Sequence, residues 1–335
     1  MIRDFGTLPG RGCVRRATIS GHGLTVSVIT LGASVQDMRL EGTDHPLVLG
    51  FPTLAPYLDE GRYFGAIVGR YANRIAQGRA RLDGRELHLD RNQDGRHLLH
   101  GGSDGTSTRN WMLAAHEPGM VALADHLTDG HMGFPGNMLI RATYLILPGP
   151  ALRLTILATS DDETLCSFAQ HSYFNLSGAA TVGGHWLTVP AEHWLPVDDD
   201  RIPSGPPASV QGTHLDFRRP VRLDQRLGGP AIDHNLCLAD RRRHTPREAA
   251  TLRAGRLSMT LRSTEPGLQV YPANHLRPGA PGIGGAAYGA HAGIALEPQL
   301  WPDAPNHPGY PSAVLGPGQV YRQVTVMSFH DHHSG

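Results

Sequence analysis

The chain contains no lysine; all 30 basic residues among its 335 are arginine. That absence excludes chemistry. Schiff-base catalysis and the GxxxxGK[ST] phosphate loop both need a lysine amine. Cysteine is scarce as well. Cys13, Cys166 and Cys237 are an odd count without CxxC spacing, so neither a disulfide framework nor a zinc ribbon is encoded. No stretch approaches the ~20 apolar residues of a membrane span, and the opening MIRDFGTLPGRGC lacks the apolar segment of a signal peptide. A soluble, cytoplasmic protein with free thiols is expected. Formal net charge is zero, with 30 basic and 30 acidic residues intermixed, so nothing supplies the basic stripe that nucleic acid or an anionic membrane needs.

Glycine and proline are what the chain has in plenty. Gly 41 and Pro 26 together make about a fifth of it, which points to many turns between short strands. With 40% hydrophobic residues the chain can bury a sizeable core, and on length alone one large domain or two ordinary ones would fit. Period-two patterning dominates. Leu257, Met259 and Leu261 alternate with Ser258, Thr260 and Arg262; Leu152, Leu154 and Ile156 alternate with Arg153 and Thr155; Val324 and Val326 alternate with Gln323 and Thr325. Each pattern puts apolar side chains on one sheet face and polar ones on the other, as half-buried antiparallel strands require. Residues 138–147 form another β-rich run, ended by Pro148 and Gly149. Asp83-Gly84, Asp94-Gly95, Asp129-Gly130 and Pro266-Gly267 punctuate these runs as hairpin turns do. Helical spacing is scarce, with one short helix expected over 64–76. The Pro-rich piece 201–212 reads either as a linker or as a long loop within one β domain. The pattern is all-β.

Several short motifs fail on context. GGSDG (101–105) fits the G-x-S-x-G string of a serine hydrolase, but Thr-Ser-Thr-Arg-Asn-Trp follows it where a helix is needed. GIGGAA (282–287) lacks a βαβ setting and reads as a turn. His97 and His100 resemble a metal pair only on a helix, and no third ligand has a recognisable spacing. HDHHSG after Phe329 reads as a disordered terminus rather than a metal site.

Two segments about 125 residues apart are denser in polar residues than a core demands: QHSYFNL, ending at Leu176, and ALEPQLWPDAPN, ending at Asn306. His171 in the first shares a strand face with Tyr173, and it reads as a core histidine or as an acid catalyst. Glu297 follows Ile294-Ala295-Leu296 in a stretch fit for a buried strand, where a carboxylate must be paired, hydrogen-bonded or raised in pKa. Asp233 repeats that pattern at the start of AIDHNLCL. Arg74, near Arg70 in GRYANRIA, offers a planar fork to sugar hydroxyls or a carboxylate, or serves as an ion-pair partner. An imidazole and a carboxylate brought together across a fold can move one proton on and another off. The chain reads as an enzyme.

VLGF (48–51), GRYANRIAQGRARLDG (69–84), LLHGG (98–102), DGHMGFPGN (129–137), HSYFNLSG (171–178), LPVDDDRIPSG (195–205), DHNLCL (233–238), STEPGLQVY (263–271) and LEPQLWPDAPNHPGYP (296–311) carry a resemblance to one family. Taken in order, they resemble the aldose 1-epimerases, or mutarotases, from about residue 24 to residue 327. The resemblance implies one large antiparallel β-sandwich domain over 1–335 that interconverts the α and β anomers of aldoses such as galactose and glucose. It implies Glu297 as the base at the C1 hydroxyl, His171 as the acid at the ring oxygen, and His100 as a support for that acid. It places Arg74, Asp233 and Gln299 as ligands of the sugar. No metal or other cofactor is implied, and the partner is a small monosaccharide handled by a monomer or homodimer. Two departures flank the acid and the base. Gln170 stands where the family usually has Asn, and Pro298-Gln299-Leu300-Trp301-Pro302-Asp303 stands where it more often reads Thr-Gln-His-Phe-Pro-Asp. Sugar preference is the property these changes touch, and Trp301 is either a stacking face for a sugar ring or core. A relative acting on a phosphorylated hexose, and a non-catalytic sugar-binding β-sandwich, are the alternatives.

Overall fold

The computed structural model describes residues 1–332. Three antiparallel sheets dominate it. Four strands in chain order, Ile2–Leu8, Gly12–Gly21, Leu24–Ile29 and Ser34–Leu40, form the first. A nine-stranded sheet runs Met112–Glu117, Met120–Leu127, Met138–Leu147, Ala151–Ser160, Tyr321–Asp331, Leu257–Ser263, Arg247–Ala254, Trp186–Thr188 and Val221–Arg222. A six-stranded sheet runs Tyr173–Phe174, Ile294–Gln299, Gly267–Tyr271, His234–Cys237, His193–Trp194 and Ala208–Ser209. Among the described residues the α-helix content is one four-residue turn, Asp224–Leu227. The all-β expectation holds.

The main core gathers side chains from all three sheets. Val26 and Met38, then Leu154, Leu252, Met259 and Met327, then Leu268, Val270, Ile294 and Leu296 belong to one buried cluster. Asp83 and Gly84 close the two-residue hairpin between Arg79–Leu82 and Arg85–His88 with both φ values positive (45° and 74°), as the right-handed twist of the flanking strands favours.

The three patterned strands prove to be neighbours in the nine-stranded sheet, yet one faces opposite to what hydropathy suggests. Leu154 and Leu261 pair with Thr325 and Met327, so the strand turns Gln323 and Thr325 to the main-core face and Val324 and Val326 to the opposite one, where Val324 is buried as well. The buried polar groups are satisfied there. Gln323 Nε2 donates to the Pro298 carbonyl at 2.9 Å, its Oε1 accepts the Tyr321 hydroxyl at 2.8 Å, and Thr325 Oγ1 lies 3.2 Å from Ser263 Oγ. Tertiary hydrogen bonds remove the desolvation penalty that hydropathy alone would assign.

Other expectations are corrected. Residues 64–76 form no helix; they hold the short strands Ile67–Val68 and Arg74–Ile75, which pair with Ala169–Gln170 and Leu98–Leu99. The 201–212 segment is no linker, because Ala208–Ser209 joins the six-stranded sheet beside His193–Trp194. The described part of the tail is structured: His330 and Asp331 complete the last strand, and His332 Nε2 lies 2.8 Å from Ser258 Oγ. The final residues of HDHHSG lie outside the described ones. GGSDG leads into a 3₁₀ turn, Thr106–Thr108, so the nucleophile-elbow setting is absent there.

Candidate active site

In the six-stranded sheet the strands Ile294–Gln299 and Gly267–Tyr271 are buried on both faces, and the two faces do different things. On Ile294–Gln299, Ile294 and Leu296 point into the main core, so Ala295, Glu297 and Gln299 point the other way. On Gly267–Tyr271, Leu268 and Val270 are core, which turns Gln269 and Tyr271 to the same opposite side, with Gln269 directly beside Glu297 across the ladder. Tyr173 pairs with Ala295 and brings His171, two residues earlier, to that face. There a cavity of about 360 Å³ opens, lined among others by Arg74, His100, His171, Asp233, Gln269 and Glu297.

Within it, His171 Nε2 stands 3.5 Å from Glu297 Oε1, and both residues are buried, at 4% and 2% exposure. Burial drives the two groups towards their neutral forms. His171 is pushed down to about 4, chiefly by desolvation. Glu297 is raised well above 4.5 by desolvation and then by the charge of Asp233, with Arg74 opposing. Between the lowered imidazole and the raised carboxyl the two groups therefore hold a single proton over a wide pH range. His171 Nδ1 and Glu297 Oε2 have no hydrogen-bond partner in the protein. Other buried side chains, Gln299 among them, also keep unpartnered atoms; what marks this pair is that both residues line the cavity.

His100 is fixed from outside the sheet. Asn73 and His100 are both left-handed (φ 63° and 52°) and bond reciprocally: His100 N–H donates to the Asn73 carbonyl at 2.9 Å, and Asn73 N–H donates to His100 Nδ1 at 3.1 Å. Gly101 has no latitude in this turn, since a Cβ on it would sit 1.9 Å from the Gly69 carbonyl oxygen. With Nδ1 accepting, Nε2 carries the proton and is a donor. Its pKa is held well below 6.5 by desolvation, then by His171 and Arg74. One ligand-type atom from each of His100, His171 and Glu297 lies within 4.8 Å of the others. The set does not fit a metal, because His100 would have to surrender the Nε2 proton that its bonded Nδ1 requires it to keep.

Arg74 donates from Nε to Gln93 Oε1 at 2.9 Å, and desolvation lowers its pKa. Asp233 accepts Gln269 Nε2 on Oδ1 at 2.6 Å and is paired with Arg201 on Oδ2. Arg201 Nη2 lies 2.7 Å from His275 Nε2. Arg70 is a structural arginine: fully buried, it donates to the carbonyls of Pro135 and Gly136 at 2.8 and 3.0 Å and so anchors the DGHMGFPGN loop.

Five of the six candidate residues thus converge on one cavity: Glu297, His171, His100, Arg74 and Asp233. Gln299 does not join them. It is fully buried beyond the lining, with both amide atoms unpartnered. Trp301 is core, its Nε1 donating to the Pro266 carbonyl at 3.1 Å while its ring packs on Tyr310. Neither departure beside the acid and base lines the cavity. Gln170 bonds the Gly65 carbonyl at 3.2 Å and the Ser172 hydroxyl, and Leu300 belongs to a separate apolar cluster. Missed residues include Tyr63, whose ring sits 4.8 Å from that of His100 and 5.8 Å from that of His171, and Gln269, Arg201 and His275. Gln269 was findable, since period two puts it on the polar face of a strand between apolar Leu268 and Val270. Arg201 and His275 come from loops and carried no such signal.

A larger hollow, about 800 Å³, lies between Glu192, His214, Asp216 and Arg218. Of its three arginines, Arg218 is already tied to Asp216 and Glu192 at 2.8 and 2.7 Å, and no buried acid–base pair lines it.

The aldose 1-epimerase family model matches residues 15–328. Galactose mutarotase of Homo sapiens is 37% identical over 335 residues, covering 97% of each chain. Aldose 1-epimerase of Escherichia coli K12 is 33% identical over 321 residues, covering 92% of each. Among solved structures, the galactose 1-epimerase of Lactobacillus acidophilus superposes with a TM-score of 0.87 at 25% identity over 99% of both chains. An aldose epimerase homologue from C. elegans gives 0.86 at 29% identity, over 94% of this chain and 98% of that one. The chain belongs to the aldose 1-epimerase family, whose members are isomerases, and its fold is the galactose mutarotase-like one. No helix among the described residues is long and apolar enough to cross a membrane.

Proposed function

We propose that this protein interconverts the α and β anomers of free aldoses, with Glu297 as base and His171 as acid. The observation that carries the reading is the facing of Nε2 and Oε1 at 3.5 Å in a cavity of sugar size, each residue keeping one unsatisfied atom. In its reactive form the shared proton sits on His171 and Glu297 is a carboxylate. Glu297 takes the proton of the C1 hydroxyl. The O1–C1 bond becomes a carbonyl, the C1–O5 bond breaks, and O5 takes the proton from His171. Rotation about C1–C2 presents the other carbonyl face, and the same transfers in reverse close the ring as the other anomer. The pair ends with the one proton it began with. Each positioned group contributes about 10²–10⁴-fold.

His100 adds an Nε2 donor beside the leaving ring oxygen and, being neutral, does not compete with His171 for the catalytic proton. Arg74 and Asp233 offer a donor fork and acceptor lone pairs to ring hydroxyls. A phosphorylated substrate would call for a free arginine cluster. The charge of Arg201 is countered by Asp233, and Arg74 shares the cavity with the carboxyls of Asp233 and Glu297, which favours a neutral sugar. A purely binding cavity has no use for an acid and a base in register.

Polarimetry on freshly dissolved α-D-galactose and α-D-glucose tests the reading. Faster approach to the equilibrium rotation than in buffer is expected for at least one of them. Tight sugar binding with an unaltered rate would instead make the chain a binding protein.

A further inference from the structure

Residues 195–205 form a tongue at the cavity rim that is tied down on two sides. Asp198 organises its tip: Oδ1 accepts the N–H groups of Asp200 and Ile202 at 3.0 and 2.9 Å, and its carbonyl accepts the Arg201 N–H at 2.9 Å. Arg201 is held left-handed there, with φ 64°. The two adjacent side chains then run to different parts of the rim. Asp200 is gripped by both terminal nitrogens of Arg96, one at 2.9 Å, with His97 Nε2 at 3.5 Å. Arg201 is bonded to Asp233 through Nη1 and to His275 through Nη2. Its side chain keeps 26% of its surface exposed, and it lines the cavity.

The sheet ladder gives the position of this cluster relative to the reacting end. Asp233 immediately precedes His234–Cys237, and Gly267–Tyr271 separates that strand from Ile294–Gln299, which carries Glu297. Two ladder steps put the two backbones about 10 Å apart. An aldose with C1 at Glu297 and its ring oxygen at His171 therefore extends its other ring hydroxyls towards Asp233 and Arg201.

We propose that Arg201 is a specificity-determining residue: it holds Asp233 in register and, with His275, reads the ring hydroxyls remote from the anomeric carbon. The inference rests on the aldose reading above. Asp233 uses two of about four lone-pair positions on Gln269 and Arg201, and Arg201 uses two of about five N–H donors, so both retain capacity facing the cavity. A substrate hydroxyl in the matching configuration bonds to that spare capacity. A hydroxyl in the epimeric configuration leaves a partly buried charged group short of a partner, and such deficits discriminate far better than a lost apolar contact. The tongue keeps the reader fixed, because Asp200 cannot follow a sugar inward while Arg96 holds it.

The test is steady-state anomerisation of glucose, galactose and mannose, which differ at single ring carbons, by the wild-type protein, Arg201→Leu and His275→Leu. For Arg201→Leu, KM should rise about 10-fold with kcat changed by less than about 3-fold, and the kcat/KM ratios among the three epimers should narrow. His275→Leu, at an exposed position, should shift the same ratios in the same direction by less, and it serves if Arg201→Leu does not fold. A merely structural role would lower thermal stability and leave the ratios alone. Unaltered ratios in both variants beside an active wild type overturn the role of Arg201. A wild type that accelerates none of the three sugars removes the aldose reading itself, a different outcome.

Discussion

Two glutamates, each 2% exposed, teach opposite lessons: Glu265 lies in the turn between Leu257–Ser263 and Gly267–Tyr271, and Glu297 lies within the strand Ile294–Gln299. Glu265 is complete. Arg242 Nε reaches both its oxygens at 3.2 and 3.0 Å, donates from Nη2 to the Cys166 carbonyl at 2.9 Å, and lies 4.6 Å over the Tyr321 ring. Glu297 is incomplete, with a histidine at 3.5 Å and one oxygen without a partner. Desolvation raises the pKa of both, but only at Glu265 do hydrogen bonds from an arginine oppose it. A buried carboxylate that the fold has satisfied holds structure. One that the fold leaves short is available to a substrate.

The largest effect is expected at Glu297. Glu297→Gln should lower kcat and kcat/KM together by about 10²–10⁴-fold while the fold persists. Its stability should change with a definite sign. The folded carboxyl has a higher pKa than the unfolded one, so the wild type loses stability as pH rises above 4.5, and the non-titrating amide does not. The melting temperature of the variant should therefore gain on the wild type as pH increases; a variant that falls behind would place Glu297 among the structural residues. Glu265→Gln should do the reverse. Leaving Arg242 short of its partner should cost about 2–3 kcal/mol, less than for a fully buried pair because the arginine side chain is 24% exposed. Activity per folded molecule should hold, as urea unfolding and assays below the transition would reveal.

The pH profile sharpens the point. Below about 4 a second proton enters the pair and Glu297 can no longer act as base; above the raised pKa of Glu297 the last proton leaves and no acid remains. Between these limits kcat/KM should be flat, and an acid limb centred near 6.5 would mean an ordinary, unburied histidine. The smallest expected effect is Trp301→Phe. Losing the bond to the Pro266 carbonyl should cost about 1 kcal/mol of stability with KM unchanged, whereas a stacking role would raise KM.

Much of this was legible in the chain because it rests on local period and on segments that carry chemistry. Alternating Leu257, Met259 and Leu261 specified a strand and its inward face, and Glu297 stood out as a carboxylate in an apolar run. The same logic inverted the strand Tyr321–Asp331, since Gln323 and Thr325 are buried by partners more than 20 residues away that no local pattern records. Gln299 illustrates a second limit. It shares the face of Glu297, yet two residues along a strand carried it past the cavity wall. Arg201 and His275 were invisible because loop closure brings them together across 74 residues, and no periodicity encodes a loop tip. Resemblance supplied His100, whose role depends on a tautomer fixed by a backbone N–H of Asn73.

The most direct test compares the two glutamates in one experiment: anomer exchange of galactose at neutral pH, followed by NMR magnetisation transfer, with matched concentrations of folded Glu297→Gln and Glu265→Gln. Exchange should fall by about 10²-fold or more in the first and stay within about twofold of wild type in the second. Exchange that survives in Glu297→Gln, or vanishes equally in both, would contradict Glu297 as the base.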